Sequence, residues 1–229
     1  MSVRAGIVLF PGSNCEQDCA RALGSLGAET RIVWHQEKEL PDVDIVVLPG
    51  GFAHGDYLRT GALARFSPIM EAVRAHARSG GLVIGICNGF QILCEAGLLP
   101  GALRRNVNLK FLCKWTSVHV DNSTTPFTSR AEAGRSLRLP INHFEGNWYC
   151  EAAELEDLRA SGRLVLRYAE NPNGSLGDVA GVSNEDFNVL GLMPHPERAC
   201  EALLGSEDGA VLLGSMLDHA EAGVRSMPV

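Results

Sequence analysis

Three residues of this chain could supply a nucleophile, a base and a carboxylate that orients the base: Cys87, His195 and Glu197. Cys87 stands in Gly85-Ile86-Cys87-Asn88-Gly89, behind the apolar run Leu82-Val83-Ile84 and ahead of a segment whose apolar positions are Phe90, Ile92, Leu93 and Leu98. Strand, tight turn, helix is the context of a nucleophile elbow, here with sulfur in place of a hydroxyl. The flanking glycines let the backbone turn sharply and clear space around the side chain. Taken alone, a cysteine that closes an apolar strand is a buried core residue; the glycine frame and a histidine downstream point the other way. That histidine lies in Leu190-Gly191-Leu192-Met193-Pro194-His195-Pro196-Glu197, where prolines on both sides hold His195 in extended geometry. Glu197 could accept the imidazole N–H that faces away from the nucleophile, which completes the logic of a nucleophilic triad. A third element, Leu48-Pro49-Gly50-Gly51-Phe52, closes another apolar run. On its own it is a plain tight turn. Beside the elbow, the N–H of Gly51 and that of Asn88 would form an oxyanion hole.

The elements that must position these groups are read from short apolar runs that alternate with helical patterns. Strands are expected near 3–10, 30–34, 44–48 and 82–86, with a helix after Pro11-Gly12 whose Ser13 and Glu16 have capping-box spacing and which Gly27 would end. A helical pattern covers roughly 60–79 with Pro68 as an internal break, and a last helix would start at Ser206 as N-cap. Beyond about residue 107 the pieces are shorter and β-rich, at 111–120, 137–143 and 164–168. The fold class expected is therefore α/β: a mostly parallel central sheet with helices on both faces, flavodoxin-like, with a small additional β-rich part in the second half. Ligands of such sheets gather at the carboxyl ends of the strands, where all three motifs lie. No repeat or linker divides residues 1–229, so one domain is expected.

Composition bounds the setting. With 20 Lys and Arg against 27 Asp and Glu the formal charge is −7, which argues against a generic nucleic-acid binder. No apolar run approaches a membrane span, and the N-terminus reads as a first strand, not a leader. Seven cysteines without a C-x-x-C pair suggest free thiols in a reducing cytoplasm, and His54, His119 and His143 lack metal-ligand spacing, so no metal is expected; no G-x-x-x-x-G-K-[ST] loop appears, so no cofactor is expected on this chain either. Arg59, Arg65, Arg104 and Arg105 read as a solvated face or as a docking patch.

Pro49-Gly50-Gly51, Gly85–Gln91 and His195-Pro196-Glu197 resemble the class I (triad) glutamine amidotransferases. The resemblance narrows further through Phe10–Cys15, Gly55-Asp56-Tyr57-Leu58-Arg59, Cys87–Leu93, Gly97–Ala102 with Arg104-Arg105-Asn106, and Met193–Arg198. These are similar to the family of glutaminase subunits of phosphoribosylformylglycinamidine synthase, and the likeness covers nearly the whole chain. It implies hydrolysis of L-glutamine to glutamate by Cys87, His195 and Glu197. The ammonia would pass to a large synthetase subunit, which uses ATP and Mg to convert formylglycinamide ribonucleotide to its amidine in purine synthesis. A small bridging subunit would complete the assembly. Gln91, one turn past Cys87, resembles the family's contact to substrate glutamine, or is an exposed polar helix residue. Where the family usually reads His-Gly-Glu-Gly, this chain has His143-Phe144-Glu145-Gly146, so that loop is expected to differ in shape. Alternatives are the glutaminase subunit of another amidotransferase, an independent cysteine amidohydrolase, and a non-catalytic scaffold, which would need none of the three triad residues.

Overall fold

The computed structural model describes residues 2–226. Its elements are β1 (Arg4–Leu9), α1 (Glu16–Ser25), β2 (Glu29–Trp34), β3 (Ile45–Leu48), α2 (Ile69–Arg78), β4 (Leu82–Ile86), α3 (Asn88–Glu95), β5 (Ala102–Arg104) and β6 (Leu112–Val120). They continue with β7 (Ser136–His143), β8 (Asn147–Tyr149), α4 (Ala152–Ala160), β9 (Leu164–Tyr168), β10 (Val179–Ser183), β11 (Val189–Leu192) and α5 (Gly209–Ser226). One nine-stranded sheet runs in the order β2-β1-β3-β4-β11-β10-β9-β6-β7, and β5 pairs with β8 apart from it. Strands β2, β1, β3, β4 and β11 are mutually parallel, whereas β10, β9, β6 and β7 extend the sheet through antiparallel pairings.

Every residue of β3, β4 and β11 is buried. Side chains alternate between the faces of a strand, so both faces are covered there, which is why these segments read as unbroken apolar runs. The cover comes from α2 against β4 and α3 against β3, β4 and β11, while α1 packs on β1 and β2. Helix α2 shows how sequence makes such a cover: Ile69, Met70, Val73 and Ala77 form one buried stripe at helical spacing.

Several boundaries differ from the sequence expectation. Helix α1 begins at Glu16 with Cys15 as its N-cap and no side-chain cap, because Ser13 Oγ accepts instead from the N–H of Phe10. Residues 60–68 are turns around one short 3-10 segment, Ala64–Phe66, and Pro68 stands before α2 as its N-cap; it starts that helix and does not interrupt a longer one. Helix α5 begins three residues after Ser206, whose hydroxyl accepts from the N–H of Asp208, while Asp208 is drawn to the N–H of Arg138. The β-rich second half also contains α4, which left little apolar pattern because Leu155 and Leu158 are its only buried residues. Among the described residues no helix is long and apolar enough to cross a membrane.

Candidate active site

The register of the sheet assembles the site. Leu48 of β3 sits beside Gly85 of β4, and Leu192 of β11 beside Ile86, so the three strands end at one edge. Each of these strands leads directly into one of the three motifs. The N–H of Cys87 donates to the carbonyl of Leu192 at 2.8 Å, which ties the elbow to the strand that carries His195.

Cys87 has φ 52° and ψ −104°, a conformation that costs a non-glycine residue about 1–3 kcal/mol and that the packing around it must hold. Gly89 makes the elbow possible: a Cβ there would lie 1.9 Å from the carbonyl oxygen of Leu48, so α3 can approach β3 only without a side chain. Cys87 is nearly buried, and its Sγ lies 3.7 Å from the carbonyl of Asn142. It lines a cavity of about 280 Å³ together with His195, Gly51 and Gln91.

The short turn after β11 carries His195, whose N–H donates to the carbonyl of Pro140 in β7 at 2.8 Å. Its Nδ1 lies 2.6 Å from Glu197 Oε1, and both side chains are sealed from solvent. Among the described residues the other ring nitrogen, Nε2, is buried with no hydrogen-bond partner, on a ring that lines the cavity with Cys87. Burial opposes charging this imidazole, but the Glu197 carboxylate and the Cys87 sulfur outweigh it, and its proton affinity is raised well above the ordinary histidine value. His143, 3% exposed in the same cavity, behaves oppositely: burial and the neighbouring His195 push it down to about 3, so it is neutral at physiological pH.

The Gly50–Gly51 peptide is held from behind. The N–H groups of Asn14 and Cys15 both donate to the carbonyl of Gly50 at 3.1 Å. In a trans peptide the C=O and the next N–H point in opposite directions, so these bonds also aim the N–H of Gly51. Reorienting it would break two hydrogen bonds worth about 1 kcal/mol each. Gly51 itself has φ +152°, and a Cβ there would lie 2.7 Å from backbone atoms of Gly12, Ser13 and Asn14. Gly51→Ala is therefore expected to displace the turn and redirect this N–H, and, where the protein still folds, to lower kcat by about 10²–10³-fold, the size of effect known for a backbone donor to an oxyanion, the role expected of Gly51. Thermal melting run beside the kinetics separates the two effects. Asn88 begins α3, so its N–H has no acceptor within the helix. Its buried side chain accepts from the N–H of Ala53 at 2.9 Å and donates to Asp56 and to Gln91 Oε1 at 3.2 and 2.8 Å.

Gln91 is not the exposed polar residue that its helix position also allowed. It is buried, lines the cavity, and donates from Nε2 to the carbonyl of Glu145 at 2.5 Å. Phe144 lines the cavity as well, and its φ is not in the left-handed region, so this position makes no demand for glycine. Sequence reasoning singled out neither Cys15 nor Arg198 as site residues, although both lie in motifs that carry the family resemblance. Cys15 lines the cavity as a second thiol, and Arg198 donates to its Sγ at 3.1 Å and to Asp18 at 3.2 Å. Cys15, His195 and Glu197 offer ligand atoms within 4.8 Å of one another. Glu197 is already engaged by the imidazole and Cys15 by a guanidinium, so this cluster reads as a hydrogen-bonded chain and not as a cation site. All four arginines have partners: Arg59 makes two 2.6 Å bonds to Glu95, Arg65 lies 3.7 Å from the same acid, Arg104 lies over the Tyr149 ring, and Arg105 is 3.6 Å from Glu145.

This arrangement has relatives. Residues 2–207 match the family model of the CobB/CobQ-like glutamine amidotransferase domain. The phosphoribosylformylglycinamidine synthase subunit PurQ of Moorella thermoacetica is 54% identical across 97% of this chain and 99% of its own. That of Salinibacter ruber is 51% identical across 96% and 97%. The chain belongs to the PurQ family of glutamine amidotransferases. In three dimensions it is similar to a chain of the PurLQS structure from Thermotoga maritima, with a TM-score of 0.90, 46% identity, and 96% and 99% of the two chains covered. Another glutamine amidotransferase from Thermotoga maritima, 17% identical with a TM-score of 0.57 across 97% and 93% of the two chains, shares the fold alone.

Proposed function

We propose that this chain is the glutaminase subunit of a phosphoribosylformylglycinamidine synthase, with Cys87 as nucleophile, His195 as acid and base, and Glu197 as the group that orients His195. The observation that carries the reading is one cavity that receives both the Cys87 sulfur and a buried, unpartnered His195 Nε2, while Glu197 holds the opposite ring nitrogen at 2.6 Å. Cys87 is favoured over Cys15 as nucleophile because Cys15 has φ −112°, without the elbow's left-handed turn, and its sulfur is already taken by Arg198.

In the reaction His195 takes the Cys87 proton, which its raised proton affinity favours, and the sulfur attacks the carboxamide carbon of glutamine. The N–H groups of Gly51 and Asn88 take the oxyanion. His195 returns the proton to the departing ammonia, leaving a glutamyl thioester, then activates a water that releases glutamate and the thiol. Ammonia passes to a large synthetase subunit, with a small bridging subunit in the assembly, and ATP and Mg act on the synthetase. A cytoplasmic setting goes with this role and with seven free cysteines.

Partner dependence is supported by the surface beside the cavity. Tyr57, Leu58 and Phe66 are 73%, 86% and 71% exposed, in and just beyond the stretch that leads on from Gly51. Large apolar groups gathered at a site mark a surface that another chain covers. Because the Gly50 carbonyl is fixed from behind, coupling runs through residues 52–60 and not through a free flip of Gly51. The isolated chain is expected to release glutamate slowly, and synthetase with ATP and nucleotide substrate to raise its turnover by at least tenfold. A coupled glutamate assay reads this directly; equal turnover in both conditions would point to an independent amidohydrolase.

A further inference from the structure

Two cations of the chain can claim Glu197. Its Oε1 lies 2.6 Å from His195 Nδ1 and 4.0 Å from Nε of Arg198, the next residue in sequence. The carboxylate is sealed from solvent, and among the described residues its second oxygen, Oε2, has no hydrogen-bond partner. A buried carboxylate oxygen left bare is unfavourable, and a guanidinium carries a planar fork of donors that suits a carboxylate. Arg198 is therefore an apt partner for that oxygen, yet it points elsewhere.

The start of α1 holds it there. Arg198 Nε donates to Asp18 Oδ2 at 3.2 Å, and Nη2 donates to Cys15 Sγ at 3.1 Å. Cys15 is the N-cap of α1 and Asp18 lies three residues on, so one turn of helix presents both acceptors to the same guanidinium. The Asp18 and Arg198 side chains are about one-third exposed, at 34% and 33%. Their pair forms where less hydration is given up than at the sealed Glu197. Gly50 lets Cys15 close in, since a Cβ there would lie 3.0 Å from Cys15 Sγ and 2.8 Å from His195 Cε1.

The imidazole would suffer if Arg198 moved. In the reaction His195 carries a proton from Cys87 to the departing ammonia. Burial opposes the charged ring, and Glu197 is the strongest influence in its favour. A guanidinium on the same carboxylate would offset that influence and set a like charge beside the ring.

We propose that Asp18 and Cys15 are positioning residues of the triad: they hold the Arg198 guanidinium off Glu197, so that this carboxylate serves His195 alone. The proposal rests on the glutaminase reading and assigns a task to two residues that take no part in bond cleavage. It also explains why an arginine can directly follow the triad carboxylate without capturing it.

The test uses the full-length chain in complex with its synthetase. Asp18→Asn weakens the hold on the guanidinium at a partly exposed position. It is expected to lower kcat for glutamine by about tenfold and to move the alkaline limb of the pH–rate profile about one unit to lower pH. KM should stay within about threefold, because Asp18 acts through Arg198 and not on the substrate. Removing the competitor should reverse the loss. Asp18→Asn combined with Arg198→Gln is expected to return kcat to within about threefold of the wild type and the alkaline limb to its place. Cys15→Ala should move kcat in the same direction as Asp18→Asn, and Cys15→Ser, which keeps an acceptor for Arg198, should recover most of that loss.

The groups that face His195 and Glu197 are Cys15, Asp18 and Cys19 from α1, Cys87 after β4, His143 of β7, and Arg198 and Cys200 from their own turn. Burial first and the Glu197 charge second keep the Cys19 and Cys200 thiols protonated, and His143 is neutral, so the alkaline limb reports on His195 with Cys87. Chloroacetamide reads the same imidazole without glutamine. Its alkylation of Cys87 at neutral pH, followed on the peptide that carries Cys87, should slow in Asp18→Asn and recover in the double variant. A double variant as slow as Asp18→Asn or slower would make the Asp18–Arg198 pair a structural tie and overturn the proposal. Wild-type kcat and an unmoved limb in Asp18→Asn would overturn it equally, and equal rates in Cys15→Ala and Cys15→Ser would remove Cys15 from it. A wild-type complex that cleaves no glutamine while the alkylation pattern holds would overturn the glutaminase reading and leave the positioning role standing.

Discussion

Replacing Cys87 with alanine is expected to lower glutamine-dependent amidine synthesis by at least about four orders of magnitude while synthesis from added ammonium salt continues at the wild-type rate. The first half rests on the elbow: among the described residues Cys87 alone of the cysteines has a positive φ, 52°, and it lines the same cavity as His195. The second half rests on the division of labour, with amide cleavage here and ATP-dependent chemistry on the synthetase. Alanine keeps the core intact, since it removes only one sulfur from the wall of the cavity. The measurement is a paired rate with glutamine or ammonium on the assembled complex. Both rates falling together would show that the variant damages assembly, and retention of the glutamine rate would remove Cys87 from the mechanism.

His195→Ala is expected to cost nearly as much, because nucleophile and base act as one unit and their losses do not add. Glu197→Gln should cost less, about 10²–10³-fold in kcat/KM, since it leaves an acceptor near Nδ1 but removes the charge that raises the imidazole's proton affinity. That charge is consequential because, among the described residues, the second carboxylate oxygen, Oε2, is buried without a partner, leaving the imidazolium at 2.6 Å as the nearest counter-charge, with Arg198 at 4.0 Å. With its folded pKa raised above about 6.5, the protonated His195–Glu197 pair stabilises the native state below that value. The contribution is lost as pH rises through the folded pKa. Glu197→Gln removes the largest influence that raises the proton affinity of His195, so that affinity falls, the alkaline part of the stability profile should flatten and the pH–rate profile should shift acidward. A double variant no worse than His195→Ala alone would place both on one path. Glu197→Gln proving the most damaging of the three changes would overturn these roles.

The reactive triad could be read from sequence because each member sits immediately after a strand with a strong local signature. Parallel β3, β4 and β11 are buried on both faces and leave unbroken apolar runs, and the residues behind those runs are brought to one edge by the sheet order alone. Helix boundaries were less legible. Ser13 and Ser206 both have capping chemistry, but each spends it on a local turn, and nothing in the one-dimensional pattern distinguishes a turn from a cap. Least legible were Asp56, Glu145, Cys15 and Arg198, which act through tertiary neighbours such as the pairing of Arg198 with Asp18, 180 residues apart. The Gly55–Arg59 stretch is one of those that carry the family resemblance. In the fold it divides, with Asp56 turned to the cavity while Tyr57 and Leu58 face outward.

The central claim, that Cys87 forms a covalent glutamyl intermediate with glutamine, is tested most directly by trapping that intermediate. The complex is mixed with isotope-labelled glutamine, quenched in acid within the steady state, digested at low pH and analysed by mass spectrometry for the acylated cysteine. The account predicts a labelled glutamyl thioester on the peptide that carries Cys87, absent in Cys87→Ala and accumulating in a variant slowed in deacylation. Label on the Cys15 peptide, or glutamate release from Cys87→Ala at the wild-type rate, would contradict it.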